Sequence, residues 1–336
     1  MQANQNDAVH KIAAIWAFAE TGLGGLMHAF KIPFTGIFVG GMAVLMLIQL
    51  GHQSNFKTII QTTLLVMLVK LIASPQAPAP AYLAVAFQGF SAAMIYLLIP
   101  QKTLASILFS MLAMMESAFQ KLIVTTLIYG KSFWQAIDLF SEAVLKEMGS
   151  SIDLNLSWWL IYGYCAIYFI WGIFIGIWGL SIQRRKEKTG IELLKFIQEK
   201  QIQIPEPVTN SKNKKSNYLP YVSVFVILAM CFTFYVLGFN SNALSYILLR
   251  SLFALLLLLF VINPFLKFLL LKWANKQSEK RQIEINRLLD LLPNMKYNWL
   301  LAKEVIRLSS KKQFKLFRTL ETFIFISLAN HAVSEK

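Results

Sequence analysis

Apolar stretches long enough to cross a bilayer recur along this chain, near 8–30, 33–51, 56–74, 81–100, 103–130, 157–182, 219–238 and 244–263. A hydrocarbon core of about 30 Å needs roughly 20 apolar residues in helix. Helix is the form expected for each stretch, because a backbone group left unpaired in lipid costs several kcal/mol. The pattern predicts eight transmembrane helices with both chain ends in the cytoplasm. Composition agrees: 56% of the 336 residues are hydrophobic and 15% charged, with 26 Phe and a mean hydropathy of +0.54, too apolar for a soluble domain of this length. No small-residue cleavage site follows the first stretch, so it is expected to remain as a span.

The formal net charge is +15, and most of the 32 Lys and Arg lie in two blocks, 183–217 and 274–336. Both flank apolar spans, which assigns them to the cytoplasmic face against anionic lipid rather than to nucleic acid. With the 183–217 block inside, the turns holding Lys57 and Lys102 also fall inside. The uncharged Pro75-Gln76-Ala77-Pro78-Ala79-Pro80 turn and Phe239-Asn240-Ser241-Asn242 fall outside. Lys31 comes out at the outer interface, where it can snorkel. The expected class is an all-α polytopic membrane protein in the plasma (inner) membrane. A six-helix N-terminal bundle covers 1–182, a basic cytoplasmic linker 183–218, two further transmembrane helices 219–273, and a basic amphipathic cytoplasmic tail 274–336, with a break expected at Pro293.

Residues 131–156 differ from the spans. Phe133, Trp134, Ile137, Phe140, Val144 and Leu145 recur at helical spacing opposite Asp138, Glu142, Lys146 and Glu147, which predicts an amphipathic helix across the outer face. In the tail, apolar positions from Ile283 to Ile324 alternate with Lys and Arg, and one or two helices lying on the inner leaflet are expected, or else a surface for a cytoplasmic partner.

Two features of the spans bear on function. Ala13, Ala17, Thr21, Gly25 and Ala29 recur every four residues, a small-residue stripe of the kind that lets helix backbones approach closely in lipid, and Gly36 with Gly40 repeats it. The stripe either packs inside this chain or docks a partner membrane subunit. Ionisable and amide groups inside the spans, Glu20, His28, Lys70, Gln88, Glu116, Gln120 and Lys121, fall in the middle or outer half. They predict either a polar pocket open to the outside or buried ion pairs such as Lys70 with Glu20 or Glu116.

Catalytic signals are weak. His10, His28, His52 and His331 have no metal-ligand spacing, and Cys165 and Cys231 sit in apolar runs as packing residues. Gly130-Lys131-Ser132 imitates the end of a phosphate-binding loop, but Thr125 stands where that loop needs Gly. No cofactor is expected, and ATP-driven work would need a separate subunit.

The six-helix unit, its small-residue stripe and its outer loops together resemble the substrate-binding S component of energy-coupling factor vitamin transporters, over the first 182 residues. The resemblance implies that Ala13, Ala17, Thr21 and Gly25 contact a transmembrane coupling subunit, itself joined to ATPase subunits. It places ligand residues in the outer loops and helix ends, around His28, Lys31, Gln76, Gln88 and Trp134, to which the intramembrane Glu20, Lys70, Glu116 and Lys121 are added here. S components normally end after six helices, whereas this chain adds two spans and a tail. The leading expectation is a transport protein taking a small vitamin-like or metabolite ligand from outside. Two other classes stay open: a membrane-embedded enzyme on lipid-linked substrates using Glu20, His28 and Glu116, and a structural or assembly subunit of a membrane complex.

Overall fold

The structure, a computed structural model, describes residues 2–24, 27, 35–74, 77–147, 155–200, 202, 252, 256, 262–275, 278–308 and 315–329. The described residues form helices and no strand. In chain order these are α1 (Gln2–Phe18), a π-helical turn Ala19–Leu23, a second π-helical turn Gly36–Gly40, α2 (Gly41–Gln53), α3 (Phe56–Ala73), α4 (Ala79–Leu98), α5 (Lys102–Tyr129), α6 (Lys131–Glu147), α7 (Leu156–Glu199), α8 (Asn263–Asn275), α9 (Ser278–Leu308) and α10 (Lys315–Ala329).

Five helices among the described residues are long and apolar enough to cross a membrane: Gly36–Gln53, Phe56–Ala73, Ala79–Leu98, Lys102–Tyr129 and Leu156–Glu199. They coincide with the second to sixth expected spans. Residues 2–23, under the first expected span, carry Asp7, Lys11 and Glu20 and are not among the five. The seventh and eighth expected spans fall almost wholly outside the described residues.

Local chemistry sets the helix ends. Asn55, extended at φ −90°, accepts from the Thr58 amide at 2.9 Å and starts α3, a cap worth about 1 kcal/mol. Pro78 and Pro80 open α4, where a missing N–H costs nothing. Gly130, at φ 77°, closes α5, and its amide bonds the Thr126 carbonyl. Gly130-Lys131-Ser132 is therefore a helix-to-helix turn and not a phosphate cradle.

The chain divides into two compact units. The larger comprises Met1–Gln120, Gly163–Glu206 and Phe265–Lys336, so the tail expected as a separate segment packs with the N-terminal helices. α1 packs against α2, α3, α9 and α10. Ile12 to Ala17 are each at most 1% exposed. Six consecutive residues cover more than a full turn, so this part of α1 has no free face. On one side Asp7 pairs with Arg287 at 3.1 Å, the Lys11 ammonium donates to the Leu328 carbonyl at 3.3 Å, and Phe18 meets Phe323.

α9 and α10, expected as helices on the inner leaflet or as a surface for a cytoplasmic partner, pack against α1. Leu288, Met295, Leu301, Ala302 and Val305 of α9 and Phe323 to Ile326 of α10 are buried, and Asn298 donates to Ser327 between them. Pro293 does not break α9, which runs unbroken to Leu308. Pro293 lies on the exposed side, while buried Leu288 and Met295 anchor the turns before and after it.

Other sides of this unit stay apolar and exposed. On α4, Leu83, Phe87, Phe90, Met94 and Leu97 recur at alternating four- and three-residue steps, and Leu104, Leu108 and Leu112 do the same on α5 at four-residue steps. Continuous apolar stripes of this kind are what lipid-facing helices present. Inside, α5 and α7 approach closely at Gly172: a Cβ there would stand 2.9 Å from the Met111 Cα. Gly172 and Gly176, four residues apart, are the small-residue pair that this contact uses. α7 is 44 residues long, about 66 Å at 1.5 Å per residue, so its helix continues through the first part of the expected basic linker.

The smaller unit comprises Lys121–Tyr162 and Pro207–Pro264. α6 forms as expected and leaves Phe133, Leu139, Phe140 and Val144 exposed. The Asp138 carboxylate accepts from the Ser157 amide and hydroxyl, both at 2.8 Å, and so caps the start of α7. Trp158, Trp159 and Tyr162 stand exposed on that first stretch, as aromatic residues do at a membrane interface.

Candidate functional site

The larger unit brings two π-helical turns side by side: a Cβ on Gly24, which caps the first, would lie 3.8 Å from Val39 in the second. A π-turn widens the helix by bonding five residues back, as the Gly24 amide does to the Ala19 carbonyl. Such turns are rare and gather at functional sites.

The first π-turn carries Glu20. Its carboxylate takes the Lys70 ammonium of α3 at 2.6 Å, and both side chains are buried, at 7% and 5% exposure. Lys70 also donates to the Ala81 carbonyl at 3.2 Å and lies 5.7 Å from the Tyr82 ring. The pair ties α1, α3 and α4 together. These two residues, expected to face a ligand, instead satisfy each other and form the ion pair weighed as their alternative.

Around the second π-turn, glycines let polar side chains reach the backbone. A Cβ at Gly40 would meet Gln88 Nε2 at 3.4 Å and Ser117 Oγ at 3.5 Å, and one at Gly36 would meet the Tyr168 hydroxyl at 3.2 Å. Tyr164 donates to Tyr168 at 3.1 Å, and the Trp171 indole donates to the Ile37 carbonyl at 3.1 Å. On α5, Gln120 donates to the Pro80 carbonyl at 2.7 Å. Glu116 precedes Gln120 by one helical turn and shares its face.

Three polar atoms on α4 and α5 have no hydrogen-bond partner among the described residues: Tyr82 Oη, near Lys70; Gln88 Oε1, on the side chain that approaches Gly40; and Glu116 Oε2. Tyr82 and Gln88 are 1% and 2% exposed. A buried polar atom left unpaired costs about 1–3 kcal/mol, and native proteins keep few of them. Trp16 Nε1, Gln49 Oε1, Ser54 Oγ and Gln183 Oε1 are also orphaned; Trp16 sits in the wholly enclosed part of α1, the other end of the Gln49 amide is held by the Gly179 carbonyl, and Ser54, the C-cap of α2, and Gln183, in α7, belong to other helices. An open groove of about 530 Å³ along α9, lined by Ile283, Asn286, Arg287, Asp290, Leu291 and Asn294, holds none of the orphaned atoms, and its Arg287 is already paired.

The remaining sequence-expected residues divide in three. His28, Lys31, Gln76 and Gly25 lie outside the described residues. Lys121 is exposed, and the Trp134 indole donates to Thr126 at 3.0 Å, both within the smaller unit. Ala13 and Ala17, expected to dock a partner, are covered by this chain's own helices, and the half-buried Thr21 bonds back to the Ala17 carbonyl. Sequence reasoning passed over Ser117, Tyr164 and Tyr168 as site residues; the four-residue step between the two tyrosines was the signal available. Among the described residues no group of His, Cys, Asp and Glu is arranged to hold a metal. Comparison with family models, with curated proteins and with solved structures gives no match.

Proposed function

We propose that the chain is a membrane transport protein that takes a small vitamin-like or metabolite ligand from the outer side, with both ends in the cytoplasm and a separate ATPase driving release inward. The observation that carries this reading is the trio of orphaned polar atoms, Tyr82 Oη, Gln88 Oε1 and Glu116 Oε2, in a helix bundle with apolar outer stripes. A bound solute supplies the partners these atoms lack.

The position of Tyr82 supports capture from outside. Lys102 reaches the His52 carbonyl at the end assigned to the cytoplasm, whereas Gln120 and Lys70 hold the first turn of α4 at the opposite end, next to Tyr82. A coupling subunit, on this reading, engages a surface other than the covered part of α1.

Native mass spectrometry of the gently purified full chain tests the proposal. A small molecule retained by the wild type and lost from Gln88→Leu, with folding kept, is the expected result. A bare wild-type mass, with no uptake by cells that express the chain, overturns it. The satisfied Glu20–Lys70 pair favours a second reading, a structural subunit whose polar residues only fix helices; that reading predicts a bare mass and intact assembly in both proteins.

A further inference from the structure

We infer a separate binding site, for the headgroup phosphate of an anionic phospholipid, held by Lys102 and Lys186 at the end of the bundle that carries the α2–α3 turn. Three helices bring it together. α7 runs beside α2 and the π-turn before it, in the same direction: the Trp171 indole bonds the Ile37 carbonyl, a Cβ on Gly41 would stand 3.4 Å from Ile175, and Gln49 donates to the Gly179 carbonyl at 2.9 Å. One to two further turns at the same pitch set Gln183 and Lys186 level with His52 and the residues just after it. α5 runs the opposite way along α7, with Gly172 against Met111 and Gly176 against Ile107. Lys102, at the start of α5, therefore comes to this same end.

Direct contacts agree with that register. The Lys102 ammonium donates to the His52 carbonyl, and the charges of Lys102 and Lys186 both act on the His52 ring. Neither ammonium is in an ion pair among the described residues. Lys57, exposed in the first turn of α3, adds a third positive charge to this end, and the exposed Glu187, next to Lys186 in the chain, offsets one of the three. Cations gathered this way repel one another, and an anion among them turns that cost into attraction.

The surroundings select a lipid over a free anion. Leu97 and Leu98 end α4 and Leu104 lies in the first turn of α5, so exposed apolar side chains flank Lys102 on both sides of its turn. Phe56, which opens α3, is exposed as well. Acyl chains cover such residues while the headgroup meets the ammonium groups, as basic clusters between transmembrane helices bind anionic lipid. A soluble phosphate gains nothing from the leucines.

Thermal unfolding of the full chain in detergent tests the site, with added phosphatidylglycerol, phosphatidylcholine of the same acyl chains, or inorganic phosphate. Phosphatidylglycerol should protect the wild type at a concentration at least about tenfold below that of phosphatidylcholine. Lys102→Gln and Lys186→Gln should each reduce that preference about fivefold, the worth of one Lys near anionic lipid. Lys131→Gln removes the same charge from an exposed position past the far end of α5 and should leave the preference within about twofold of wild type. Melting without lipid reports folding, and Lys102→Arg, which keeps charge and donors, should keep the preference even where Lys102→Gln folds poorly. A wild-type preference below about twofold, one unchanged in both Gln variants, or one lost equally in Lys131→Gln overturns the site. Protection by inorganic phosphate matching that by phosphatidylglycerol overturns the lipid assignment in favour of a free anion.

Discussion

The bundle holds polar groups of two opposite kinds, one kind paired and the other unpaired. In the first, Glu20 and Lys70 lie 2.6 Å apart with the Ala81 carbonyl and the Tyr82 ring completing the ammonium's surroundings. In the second, Tyr82 Oη, Gln88 Oε1 and Glu116 Oε2 have no partner among the described residues. Both kinds are buried polar chemistry in an apolar bundle, and burial alone does not tell them apart. Satisfaction does: the completed pair fixes helices, whereas the unpartnered atoms are where the proposed solute would bind.

The largest expected effect probes the completed pair. Lys70→Met strands the Glu20 carboxylate and should cost about 3–5 kcal/mol of stability, read as thermal unfolding in detergent. Adding Glu20→Gln to that variant should restore at least half of the loss, because the stranded charge is gone. A double variant as unstable as the single one would mean that Glu20 serves something besides Lys70.

Packing comes next and separates polar effects from steric ones. Gly172→Leu pushes a side chain against the backbone of Met111 and Ser110, and overpacking of this kind costs about 1–3 kcal/mol. The same readout applies, and an unchanged melting temperature would show that α5 and α7 can separate there without loss.

Much of this was open to reading in the sequence. Apolar runs fix span length because lipid thickness does, and helices at Gly36–Gln53, Phe56–Ala73, Ala79–Leu98 and Lys102–Tyr129 fall on the runs that predict them. The Glu20–Lys70 pair was one of two alternatives that charge placement allowed. The fold of the tail was not legible, because buried Leu288, Met295, Leu301 and Val305 form a stripe equally suited to a leaflet and to a neighbouring helix. Nor were the π-turns, since no residue pattern in Ala19–Leu23 or Gly36–Gly40 distinguishes five-residue from four-residue bonding. Gly172 and Gly176 were there to be read and went unremarked, while the more regular stripe at Ala13 and Ala17 drew attention to a helix that turns out to be enclosed.

Smaller effects belong to the unpaired kind. Tyr82→Phe deletes only an atom with no partner, and Gln88→Leu deletes one together with its amide nitrogen, so the ligand-free protein should unfold within about 1 kcal/mol of wild type, while small-molecule retention falls. A loss as large as that of Lys70→Met would show that these atoms have structural partners after all. Asn55→Ala, which removes only the cap of α3, should cost about 1 kcal/mol and leave retention untouched, a control for both kinds.

Cryo-electron microscopy of the full chain in a lipid nanodisc bears most directly on the difference between the two kinds of polar group. Non-protein density within hydrogen-bonding reach, about 3 Å, of Gln88 Oε1 and Glu116 Oε2 is the expected result, beside a Glu20–Lys70 contact free of any solute. Side chains of this protein bonded to those two oxygens, with no density between them, would contradict it.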